Sequence, residues 1–182
     1  MSGSSFYDDD PLKQIAINLF YGWGYNFYRH ENQLRTDDLL IRSKVAGLLS
    51  IARASVETAE ADYRRACIPQ PSRAHPFPPP DVIANAQALE RLAEEIGALG
   101  NHMHSLPVPE NDLILQRIRD EAPTLQALIY RDHQLAGQAE LLRSMLDCRD
   151  GAWIVSNLPA IREGLQAIRE NLRARQNVLQ IK

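Results

Sequence analysis

Apolar residues recur three or four positions apart through most of the chain, and that spacing leaves little choice but helices packed on one another. At about 100° per residue such positions share one side of a helix. The pattern is clearest at Ile41, Val45, Leu48, Leu49, Ala52, Val56, Ala59, Tyr63 and Ala66, with Arg42, Ser43, Arg53, Glu57, Glu60 and Arg64 on the other side. It returns at Leu89, Leu92, Ile96, Leu99, Met103 and Leu106, the three-and-four alternation of a bundle seam. Ile118, Ala122, Leu125, Leu128, Ile129, Leu135, Ala136, Ala139, Leu142 and Leu146 form a third stripe, and Leu158, Ile161, Leu165, Ile168, Leu172 and Leu179 a fourth. No alternating strand pattern of any length competes with them. The expected fold is all-α: an antiparallel four-helix bundle of long helices plus an N-terminal aromatic-rich helix, joined in part by a proline-rich crossover.

Capping and breaking residues set the boundaries. Asp8, Asp9 and Asp10 before Pro11 place acidic side chains at the positive end of a helix dipole and proline in its first turn, so residues 1–10 read as a flexible acidic leader and a helix is expected over about 11–34. Gly22 and Gly24 weaken that helix by about 1 kcal/mol each. Thr36, Asp37 and Asp38 restart a helix over about 36–68. Pro69, Pro71, Pro76 and Pro78–Pro80 exclude helix from 69–80, a stiff connector that Phe77 would pin to the bundle. Asp81 is expected to cap a helix over 81–106, ended by Pro107. A helix over about 111–148 should kink or split at Pro123. Beyond Asp150–Gly151, Trp153–Val155 form a short apolar bridge, and Ser156 or Asn157 caps the helix over 157–180. Residues 11–182 thus read as a single helical domain.

Composition removes several function classes. A net charge of −3 and a pI near 5.9 supply no general attraction for phosphate backbones, so no nucleic-acid partner is expected. The basic run Arg169, Arg173, Arg175 and Lys182 reads as charge complementing the last turns of a helix. No apolar run reaches the ~20 residues of a membrane span, and the acidic leader argues against contact with a membrane surface. The polar N-terminus lacks a secretory pattern, and a cytoplasmic setting is expected. Cys67 and Cys148 stand apart without zinc or redox spacing and read as reduced, inert packing cysteines.

Motifs for chemistry are few. Paired Glu-x-x-His motifs of a di-metal bundle are missing, as are phosphate-binding loops and nucleophile elbows. His102 and His104 are the nearest approach to a metal-ligand pair, yet residues two apart on a helix point about 200° from one another. No cofactor is expected. His30 and Asp132 each fall where an apolar stripe calls for a hydrophobe, and a buried carboxylate needs a cationic or hydrogen-bonding partner. They could satisfy each other, as a proton-transfer site, half of a metal site, a pH-sensitive latch, or a structural pair that fixes helix register.

Half of the aromatic residues lie within Phe20–Tyr28. On a helix, Phe20, Trp23 and Phe27 join the core-facing stripe that ends at His30, while Tyr21, Tyr25 and Tyr28 gather with Gly24 on the opposite side. Tyrosine combines large contact area with a polar tip, and glycine lets a second backbone approach. The expected function is a non-enzymatic interaction protein, an adaptor, accessory subunit or assembly factor, that meets a protein partner or a second copy through Tyr21, Gly24, Tyr25 and Tyr28. The alternative is a small-molecule- or metal-binding bundle, catalytic or not, with Trp23 and Phe27 lining a pocket near His30 and Asp132.

Overall fold

A computed structural model of the protein describes residues 5–24, 34–68, 73, 77–106 and 122–180. Among them the structure is all-helical: α1 (Asp9–Gly22), α2 (Leu34–Cys67), α3 (Pro80–Ser105), α4 (Ala122–Leu146), α5 (Gly151–Ser156) and α6 (Leu158–Gln180). The four long helices α2, α3, α4 and α6 make the bundle.

Helices α2 and α3 run antiparallel, and α2's expected stripe meets the stripe of α3. Ile41, Val45, Leu49, Ala52 and Val56 are fully buried against Leu89, Leu92, Ile96 and Met103 in one continuous core. At one end of the pair Asn85 donates to the Tyr63 hydroxyl (3.1 Å) and Arg64 pairs with Glu90 (3.1 Å); at the other, Arg42 Nη1 donates to the Leu106 carbonyl (2.7 Å). Arg42 was expected on the polar side of α2, and it is buried instead. Its long stem covers apolar surface while its head reaches a carbonyl that the end of α3 leaves without an intrahelical donor.

Several boundaries differ from expectation for local reasons. Helix α1 stops at Gly22 rather than running to 34: Trp23 N–H donates to the Leu19 carbonyl (2.9 Å), and Gly24 turns left-handed at φ 67°. That is a glycine C-terminal cap, which the lack of a Cβ makes cheap. Asp81 does not cap α3; the helix starts on Pro80 behind an extended Pro79, and Asp81 sits in its first turn. Phe77 is exposed and pins nothing. Trp153–Val155, expected as a short apolar bridge, are part of the short helix α5, capped by Asp150, whose carboxylate accepts from Trp153 N–H (2.7 Å). Its Gly151 fits against Tyr63 and Leu89, where an added Cβ would lie 2.8 and 3.0 Å away. Cys67 and Cys148 are exposed free thiols, so they do not pack, and Cys148 itself adopts a positive φ of 54°. Residues 111–121 of the fourth expected helix, and 69–72 and 74–76 of the expected 69–80 connector, lie outside the described residues.

Helix α4 is the centre of the molecule. It packs on α1, α2 and α6, and from Asp132 to Ala139 every side chain but His133 is buried. A helix enclosed on three sides cannot be apolar on one face only, so its polar residues need internal partners. Those partners define the site described next.

Candidate functional site

The polar side chains of α4 hold two neighbours: α6 on one side, and α1 with the segment before it on the other. Toward α6, Asp132 is fully buried (0% exposed) and is clamped by Arg175 (2% exposed), whose Nε donates to Oδ1 and whose Nη2 donates to Oδ2 at 3.3 Å. One turn further along, Asn171 Nδ2 donates to the Arg131 carbonyl (3.0 Å) and to Gln138 Oε1 (3.4 Å). Burial pushes the Asp132 carboxyl above its usual range, with Arg175 and then His133 opposing the shift.

Toward α1, Gln138 Nε2 donates to the Phe6 carbonyl (2.9 Å), and Asp9 Oδ1 accepts from both the Tyr130 hydroxyl (2.9 Å) and Gln134 Nε2 (3.0 Å). Phe6 is buried (7% exposed), its ring set against Gly164 of α6 where a Cβ would meet it at 2.5–2.8 Å. Gly137 of α4 lies directly under the Leu12 backbone, a Cβ there falling 2.9 Å from the Leu12 carbonyl carbon. The leader expected over 1–10 therefore gives way, from Ser5 on, to a docked segment. Two helix-interior glycines make room for it, and three polar side chains of α4 bind its backbone and its acidic residue. Asp9 is itself in the first turn of α1, so its carboxylate also complements the helix dipole.

At the far end of α1, Phe20 is buried between Trp23 (centroids 5.5 Å apart) and the half-buried His133 (5.3 Å), and Lys44 of α2 lies over the Trp23 ring (5.4 Å). Burial pulls the His133 imidazole below its ordinary pKa; Asp132 and the Ile129 carbonyl act against this, and Lys13 adds to it. A base whose folded pKa lies below its unfolded value of ~6.5 stabilises the fold above that pH, and the stabilisation is lost as pH falls through the folded pKa. Acidification below about pH 6.5 is thus expected to lower Tm, with a slope no steeper than ~1.4 kcal/mol per pH unit for the single proton. The check is thermal unfolding of the wild-type chain and His133→Gln across that range; equal acid slopes would assign the effect elsewhere.

The expected site residues separate into groups. Asp132 does meet a charged partner, but the described partner is Arg175, which the sequence reading placed in a basic run complementing the last turns of a helix; His30 lies outside the described residues, as do Tyr25, Phe27 and Tyr28. Arg175 had a readable signal, since it continues the stripe of Leu165, Ile168 and Leu172 at the position three beyond Leu172. Trp23 is partly buried and packs against the core. Tyr21 and Gly24 are exposed, yet the cap at Gly24 ends the helix on which a continuous Tyr21–Tyr25–Tyr28 face depends. His102 and His104 are both exposed on either side of buried Met103, and among the described residues no three His, Cys, Asp or Glu side chains gather as metal ligands.

A carboxylate with no exposed surface, held at both oxygens by one guanidinium, is arranged to join two helices. No helix among the described residues is long and apolar enough to cross a membrane. No protein-family model, curated protein or solved structure matches the chain.

Proposed function

We propose that the chain is a non-enzymatic helical interaction protein, an adaptor, accessory subunit or assembly factor, which docks a protein partner through the outer side of α1. The observation that carries this reading is the pairing of Ile17 and Tyr21, one turn apart and 42% and 89% exposed, on a helix whose inner side is fully used. Leu12, Ala16 and Phe20 bury that inner side, so α1 is fixed in place while it presents a large aromatic and a β-branched side chain to solvent. The pocket reading is weaker because Asp132 is sealed behind Arg175. A reducing, cytoplasmic setting suits the exposed free thiols of Cys67 and Cys148.

The test uses the full chain with a photo-crosslinking amino acid in place of Tyr21, irradiated in a native extract, together with light scattering of the purified protein. A discrete crosslinked partner, or a concentration-dependent mass, is expected. Both should disappear in Ile17→Ser/Tyr21→Ser, with stability unchanged to within ~0.5 kcal/mol as for surface substitutions generally. Persistence of the complex in that double variant, or no complex in the wild type, overturns the reading.

A further inference from the structure

The segment Phe6–Leu12 is seated on α4 and α6 in the way a bound peptide is seated in a receptor groove. Its ring occupies a socket floored by Gly164, its backbone crosses α4 over Gly137, its carbonyl at Phe6 is read by Gln138, and its carboxylate at Asp9 is read by two donors. Recognition of a backbone carbonyl by a buried side chain and of a carboxylate three residues later does not depend on the segment belonging to the same chain. The groove is built by α4 and α6, whose Leu135, Leu142, Ile161, Leu165 and Ile168 are buried in one core with Phe6, Ala16 and Phe20 of the arm. The arm has α4 as its principal helix neighbour and ends at a left-handed glycine, Gly24, with nothing within 4 Å of its Cβ position. Exchange of such an element between identical chains reproduces every contact of the closed form, which makes it a low-cost route to a dimer.

We infer that the α4–α6 groove is a docking site for the N-terminal arm of a second copy of this chain, occupied in the single copy by its own arm. The occupant is specified by the groove: an aromatic residue, a backbone carbonyl and an acidic residue three positions on. This site is on the opposite side of α1 from Ile17 and Tyr21, so it stands independently of the function proposed above.

Complementation between two full-length variants tests the inference. Gly164→Leu fills the socket and leaves the arm intact; Phe6→Ala/Asp9→Ala disables the arm and leaves the groove intact. Each alone is expected to stay at 20.6 kDa, whereas the mixture, unfolded together and refolded, yields a one-to-one species of twice that mass. Tyr21→Ser introduced into both should leave this species in place, which separates it from association through the outer face. A second measurement holds if Gly164→Leu fails to fold: a labelled peptide of residues 5–22 should bind the full-length Phe6→Ala/Asp9→Ala chain at least tenfold more tightly than wild type, whose groove is filled. A mixture that remains at the single-chain mass with both variants helical, or equal peptide affinities for the two chains, overturns the inference.

Discussion

Asp132→Ala is expected to cost about 3–5 kcal/mol of stability, the usual penalty for removing one member of a buried ion pair. Arg175 would keep its charge in an interior from which it cannot reach water, being 2% exposed, and α4 would lose its clamp on α6. For a chain of this size the corresponding fall in Tm is roughly 6–20 °C. The informative comparison is Asp132→Leu with Arg175→Met. Removing both charges and replacing them by apolar side chains of similar bulk removes the desolvation cost that already pushes the Asp132 carboxyl up, so the double variant should recover most of the loss and could exceed wild type. Urea unfolding of the four members of the cycle measures this directly. A single-variant loss below about 1 kcal/mol, or additive losses, would mean that the pair does not hold the two helices together.

The second large effect concerns a glycine whose replacement by alanine would normally help. Alanine improves a helix interior over glycine by about 1 kcal/mol, and at Gly47, where nothing lies within 4 Å of the Cβ position, Gly47→Ala should stabilise by about that amount. At Gly137 the same change drives a methyl group into the Leu12 backbone, with its Cα at 3.0 Å. A backbone cannot rotate aside as a side-chain tip can, so α1 must lift from α4. Overpacking of this kind costs about 1–3 kcal/mol. We expect Gly137→Ala to destabilise by about 1–2 kcal/mol net, and to speed hydrogen exchange selectively in α1. Opposite signs at the two glycines are the expected result; a stabilised Gly137→Ala would place α1 further from α4 than the structure has it.

Much of the fold was legible in the stripes of α2, α3 and α6, because each has one buried side and its apolar spacing reports that side directly. Helix α4 was harder to read: with neighbours on several sides, its buried positions include Gln134 and Gln138, which periodicity counts as surface. Asp132 was found because it interrupts a stripe, with His30 offered as a possible partner; Arg175 was missed because it lay among other arginines and was read by charge rather than by position. Phe6 and Asp9 escaped because three successive aspartates and the serines before them have the composition of a solvated leader. The clue was elsewhere in the chain. Gly137 and Gly164 are glycines inside strongly helical segments, and a glycine there is a cost that a close approach explains. Spacing within one segment cannot say which distant segment makes that approach.

The hydrogen bonds that seat the arm join residues 121 to 132 positions apart. During synthesis Phe6 and Asp9 are therefore made long before Tyr130, Gln134, Gln138 and Gly164 exist to receive them. At roughly 5–20 residues per second the interval amounts to about 6–30 seconds, far longer than the microseconds in which a helix such as α1 forms or melts. The arm is thus made well before the helices that seat it, and for that interval Phe6, Leu12 and Phe20 lack the cover they have in the fold.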